Sequence, residues 1–227
     1  MQAWLTETSD ILRRAPWVTR DAGSGRVVVR LIGQLLLFGL LYGLAMGSFR
    51  GLVAESQWMR QMVYSGVKVP LLLMGTFVIS LPSFYVFNSL LGLRRDFAQA
   101  VRALVAAHAG LAIVLASLAP FTLFWYSSSA NYGEALLFNG LMFAIASLSA
   151  QWLVRGYYRP LIAGNRRHRL VLWCWLAVYS LVAIQLAWLL RPFIGSPEFD
   201  VRFLRPDPWD NAYEFVARLV WRTLFPQ

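Results

Sequence analysis

Five runs of about twenty apolar residues, none containing Asp, Glu, Lys or Arg, restrict this 227-residue chain more than any other feature. They are Leu31–Phe49, Val69–Leu91, Ala103–Tyr126, Ala135–Val154 and Leu170–Leu190. A helix rises about 1.5 Å per residue and a bilayer's hydrocarbon core is about 30 Å thick, so each run is long enough to cross it. In lipid every backbone N–H and C=O must find a partner within the chain, and the runs lack the alternation of barrel strands, so they predict closed helices. Composition agrees, with 58% hydrophobic and only 14% charged residues, where a soluble domain carries about 25% charged. The expected fold is all-α and polytopic: an N-terminal segment over 1–30, a five-helix transmembrane domain over 31–190 and a tail over 191–227 that ends in an amphipathic surface helix.

A net charge of +10 would suggest nucleic acid in a soluble protein, but in a membrane protein it reports orientation. With five spans, the N-terminus and the second and fourth loops share one side. They carry Arg13, Arg14, Arg20, Arg26, Arg30, Arg94, Arg95, Arg102, Arg155, Arg159, Arg166, Arg167 and Arg169, thirteen in all. The other side carries Arg50, Arg60, Lys68 and the tail's Arg191, Arg202, Arg205, Arg218 and Arg222, eight in all. The tail's five are matched by Glu198, Asp200, Asp207, Asp210 and Glu214. The side with thirteen is expected to be cytoplasmic, which places the N-terminus inside and the C-terminus outside. Lys68 is the single lysine, an arginine bias that fits a high-GC bacterial gene and hence the bacterial inner (plasma) membrane. Residues 1–26 lack the apolar core and small-residue cleavage site of a signal peptide, so the first span reads as an uncleaved anchor.

Three stretches outside the spans read as surface helices. In the tail, Asp207 can cap, Pro208 suits the first helical position and Asp210 sits where the helix dipole favours a carboxylate. Trp209, Tyr213, Val216, Val220 and Leu224 then share one face, while Asp210, Glu214, Arg218 and Arg222 share another. Ser9–Ala15 is a shorter candidate, with Trp4 and Trp17 as interfacial anchors, and the loop Gly51–Val67 is a third. Trp125, Tyr126, Tyr157 and Tyr158 fall at span ends, where an aromatic belt belongs.

Inside the spans, Gly39, Gly43 and Gly47 form a stripe of small residues every four positions, the pattern that lets helix backbones approach closely. Self-association through this stripe and packing against another span of the same chain both fit it. Pro82 and Pro120 lie within the second and third spans, and each removes a backbone donor, so kinks are expected. His108 is the ionisable residue at membrane depth, a candidate polar site by that fact alone. Asn88 and Asn139, with Gln34, Gln151 and Gln185, can cross-link helices by hydrogen bonds. The loop arginines Arg155, Arg159, Arg166, Arg167 and Arg169 could contact anionic lipid headgroups, although orientation alone explains their charge.

Catalytic patterns are missing from the sequence. It has no paired acidic cluster, no glycine-flanked serine with a matching histidine, no paired histidines for haem and no phosphate-binding glycine loop. Cys174, the single cysteine, lies in the fifth run, which rules out an intramolecular disulfide framework. No cofactor, metal or nucleic acid is expected. The reading is a non-enzymatic scaffold or accessory subunit of a membrane complex, assembling through the glycine stripe, with lipid and other membrane subunits or itself as partners. The alternative is a homo-oligomeric channel or transport subunit whose kinked spans line a path.

The stretch GLRRDFAQAVRALVAAHAGLAIVLASLAP, Gly92–Pro120, is similar to the segment joining the second and third spans of Yip-type five-span membrane proteins. The phrase LLRPFIGSP, Leu189–Pro197, resembles one in bacterial members of that broad group. The resemblance implies five spans with a cytoplasmic N-terminus. The long N-terminal region through which eukaryotic members engage membrane-trafficking GTPases is not evident in this chain, so the resemblance carries over no site and no substrate.

Overall fold

In the computed structural model, residues 2–20, 25–53, 57–196, 199–204 and 212–213 are described. They form helices α1 (Gln2–Arg13), α2 (Trp17–Arg20), α3 (Gly25–Gly47), α4 (Phe49–Val53), α5 (Trp58–Leu90), α6 (Phe97–Ser128), α7 (Tyr132–Gly164) and α8 (Arg167–Leu189), with a 3₁₀ turn at Arg94–Asp96. Among the described residues there is no strand. Five helices, α3, α5, α6, α7 and α8, are long and apolar enough to cross a membrane, one for each predicted run.

The helices outrun the apolar segments that predict them. α5 has 33 residues, about 50 Å of helix against a hydrocarbon core of about 30 Å. Its first turns take up most of the loop expected at Gly51–Val67. α7 likewise continues past Val154 through Arg155 and Arg159 to Gly164. Apolar runs mark the part of a helix that lipid requires, whereas its ends are set by caps. Asn131 caps α7 by accepting hydrogen bonds from the backbone N–H of Gly133 (2.8 Å) and Glu134 (3.2 Å). At the end of α5 the chain turns through Gly92, at φ 72°. Leu93 N donates to Asn88 O and Gly92 N to Ser89 O, closing a Schellman motif.

Each long helix has a characteristic neighbour. α3 lies between α5 and α6, α6 also packs on α7, and α8 packs on α5. α7 and α8 diverge, although only Asn165 and Arg166 separate them in sequence. α6 is the most enclosed of the five helices and α8 the most outward-facing. The tyrosines expected in an aromatic belt are instead enclosed at Tyr126, Tyr157 and Tyr158. The long helices bring these positions inside the bundle, and Tyr157 there donates to Ile11 O at 2.6 Å.

The N-terminal segment belongs to the bundle as well. α1 extends the expected Ser9–Ala15 helix backwards to Gln2 and packs on α6, with Ile11 buried. Thr8 donates to Gln34 on α3 (3.1 Å), and Arg30 pairs with Glu7 (3.1 Å). Trp17 bonds Asp10 (2.9 Å) and is half-buried. The side chain of Trp4 lies outside the described residues.

The glycine stripe lies along α5 of the same chain. A Cβ built at Gly43 would strike the Ser65 carbonyl oxygen and lie 2.8 Å from Gly66 Cα, and one at Gly47 would lie 2.7 Å from Met62 Cα. At Gly39 the corresponding distance to Pro70 Cα is 3.3 Å. The contacts are loosest at Gly39 and closer at Gly43 and Gly47, so the two backbones meet most tightly over the second half of the stripe. Packing within the chain thus occupies the face on which self-association was expected. Gly43→Leu should destabilise the bundle by about 3 kcal/mol or more, the upper range for overpacking, because backbone is what the new side chain meets. Leu at Gly140, which has open space around it, should leave stability unchanged; unfolding in mixed detergent micelles measures both.

Candidate functional site

Polar side chains in the bundle fall into separate groups. Asn139 on α7 accepts from Tyr42 OH on α3 (3.0 Å) and donates to Tyr126 OH on α6 (2.5 Å) and to Ala135 O (2.8 Å). Tyr126 OH donates onward to Met46 O at 3.2 Å. Asn139 therefore ties three helices together at one point. Asn88 behaves differently, since its amide donates to Phe84 O of its own helix at 2.8 Å. Pro82 and Pro120 sit inside continuous helices, as do Pro70 and Pro160, and both are on exposed faces.

His108 is enclosed by aromatic rings. Phe77 and Tyr179 approach it edge-on with centroids at 5.1 and 5.0 Å, and Trp175 lies at 6.1 Å. Its Nδ1 lies 2.7 Å from Leu104 O, so in the neutral tautomer Nδ1 donates and Nε2 is left as an acceptor. No His, Cys, Asp or Glu grouping that could hold a metal ion occurs among the described residues. His108 borders a cavity of about 360 Å³ between α6, α7 and α8. A second cavity of about 430 Å³ follows it toward the α7–α8 connection. Gln151, Val154 and Leu176 line both, so the two form one crevice where α8 leans away from α7.

Of the five loop arginines, the structure brings Arg155, Arg159 and Arg169 to this crevice. All three are exposed, and among the described residues none has an acidic partner. Arg166 and Arg167 do not line the crevice, and Arg167 donates to Leu91 O at 3.3 Å. His168, buried beside Arg167, pairs with Asp96 at 3.0 Å. These bonds fasten the start of α8 to the α5–α6 turn.

The largest polar cluster lies at the opposite end, and it was not among the expected sites. Gln61, Ser65 and Lys68 follow one another at helical spacing on the first turns of α5, and all are buried. They hold the irregular segment that follows α8. Lys68 Nζ donates to Pro192 O (2.6 Å) and Arg202 O (3.3 Å), Gln61 Nε2 to Phe193 O (2.9 Å), and Ser65 Oγ also to Phe193 O. Arg50, buried on α4, donates to Ser196 O (2.6 Å) and Phe199 O (2.8 Å). Gly195, at φ 78°, lets the segment pass close to Gln61; a Cβ there would come within 2.5 Å of Gln61 Cδ. The Phe203 ring covers Lys68, with its centroid 5.3 Å from Nζ. One signal in the sequence points to this clamp: Gln61, Ser65 and Lys68 recur at i, i+4 and i+7 beside an apolar run.

No protein-family model, no curated protein and no solved structure matches this chain. Of the expected resemblance to Yip-type proteins, what the structure shows is five candidate membrane-spanning helices. Asn139→Leu should cost about 1–2 kcal/mol, the range for a polar link between membrane helices, because the links from α7 to Tyr42 and to Tyr126 are both cut. Asn88→Leu severs no link between helices and should cost less; thermal unfolding of the two variants in the same detergent makes the comparison.

Proposed function

We propose that this chain is a non-enzymatic scaffold or accessory subunit of a membrane complex in the inner membrane of a bacterium. Its N-terminus is cytoplasmic, and the bundle presents the C-terminal segment on the outer side. The distribution of thirteen and eight basic residues supports this orientation. One observation carries the scaffold reading, namely the clamp formed by Arg50, Gln61, Ser65 and Lys68.

Burying a cation is costly unless it is hydrogen-bonded. Two cations here are buried, and both donate to backbone carbonyls of one segment that has no regular structure. Such bonds fix a shape in advance, and a surface ordered before binding loses less entropy when a partner arrives. Assembly in this reading runs through the platform at the start of α5, since the glycine stripe is already covered by α5. The amphipathic helix expected after Asp207 lies outside the described residues except at 212–213. There Ala212 N donates to Gln185 Oε1 (3.2 Å) and Tyr213 OH to Leu181 O, which brings the tail back onto α8.

The test uses the full chain with Cys174→Ser and a reporter cysteine at Phe203. In the otherwise native protein an impermeant thiol reagent should label it slowly, and only from outside. Adding Lys68→Met should speed labelling at least about tenfold, the change that goes with about 1.4 kcal/mol of lost local stability. It should also reduce the native-membrane assembly to the mass of the lone chain. An assembly whose mass is the same with and without Lys68→Met would refute the platform, and labelling from the inside would refute the orientation.

A further inference from the structure

We propose that the crevice between α7 and α8 is a binding site for one anionic phospholipid of the leaflet next to the α7–α8 connection. The phosphate lies among Arg155, Arg159 and Arg169, and an acyl chain runs along the crevice toward Ile184. This inference is independent of the platform reading, because it concerns the other end of the molecule and different residues.

Three observations carry it. The first is continuity, since the two cavities share Gln151, Val154 and Leu176 and so make one path from the arginines into the bundle. The second is length. From Arg169 to Ile184 along α8 is about 22 Å of helix, and one leaflet with its headgroups measures about 20–22 Å. The third is the order of chemistry along the path. Arginines gather at one end, with Trp173 beside them at 59% exposure, where an interfacial indole belongs. Deeper in, the lining is mostly apolar, with Ala107, Leu111, Ala150 and Ala183 beside the larger Trp175 and Tyr179.

Charge selects the occupant. A lipid of zero net charge or an apolar helix would fill the deep part equally well, but it would bring no net negative charge to three exposed cations that have no acidic partner among the described residues. Guanidinium groups match phosphate oxygens in geometry as well as in sign. The bond from Arg167 to Leu91 O and the His168–Asp96 pair hold α8 on the α5 side, so the crevice is held open by the fold itself.

The experiment is native mass spectrometry of the full chain, purified in detergent and given an equimolar mixture of phosphatidylglycerol and phosphatidylcholine with identical acyl chains. The expected result is one phosphatidylglycerol retained per chain in preference to phosphatidylcholine. Each basic residue at a membrane surface contributes about fivefold to anionic-lipid attraction, so Arg155→Gln, Arg159→Gln and Arg169→Gln together should lower retention on the order of 100-fold. Replacing the same three by Lys should keep the preference for phosphatidylglycerol, and Ala150→Trp should lower retention of both lipids by filling the crevice. The lysine and tryptophan variants decide the matter even if the glutamine variant fails to fold. Equal retention of the two lipids would overturn the proposal. So would an equal loss in Arg166→Gln with Arg167→Gln, which would mean a general basic surface, or full displacement by inorganic phosphate, which would mean a site for a free anion.

Discussion

Between membrane helices there is no water to escape from, so α3 and α5 cohere by how closely their backbones meet, and that approach is set at Gly43 and Gly47. Much of the remaining structure depends on this contact. It fixes α5, whose first turns carry Gln61, Ser65 and Lys68 to the place where the chain returns after α8. It also leaves the opposite side of α3 free for α6, which in turn carries α7. A stripe of three small residues thereby decides where the clamp forms.

The spans were legible because lipid admits few solutions to the backbone hydrogen-bonding problem. Runs such as Val69–Leu91 and Leu170–Leu190 are long and apolar enough to cross a membrane and appear in α5 and α8. Helix ends were less legible, since Asn131 and Gly92 act through local cap geometry and leave no mark on hydropathy. The partner of the glycine stripe was not legible at all. Its spacing calls for a close neighbour, but whether that neighbour is α5 or a second copy depends on tertiary arrangement. Tyr157 was misplaced for a related reason: a tyrosine near the end of an apolar run looks interfacial until α1 covers it. Of the candidate site residues, Asn139 and His108 reach helix-helix contacts, whereas Asn88 stays with its own helix.

Cations are treated in two ways. At the end of the bundle where α5 begins, Arg50 and Lys68 are buried and satisfied by main-chain oxygens, so their charges serve the architecture. At the α7–α8 end, Arg155, Arg159 and Arg169 stay exposed, and among the described residues none has an acidic partner. Counting positive charges along the sequence gives both groups equal weight. Only the fold separates cations used internally from cations presented to the surroundings.

Two of the longest connections in the molecule bear on how the chain is made. Tyr157 reaches Ile11 across 146 residues, and Arg50 reaches Ser196 across the same number. Synthesis delivers α1 and Arg50 early, and both wait for partners that emerge much later. Until residues 192–202 exist, Lys68 has none of these carbonyls to bond, and until α7 follows, Ile11 lacks the hydroxyl that seats it. A half-made chain therefore carries an unmatched cation at the start of its second span and an unseated helix at its N-terminus. Completion removes both defects, so the finished protein is chemically distinct from its nascent form at both faces of the bundle.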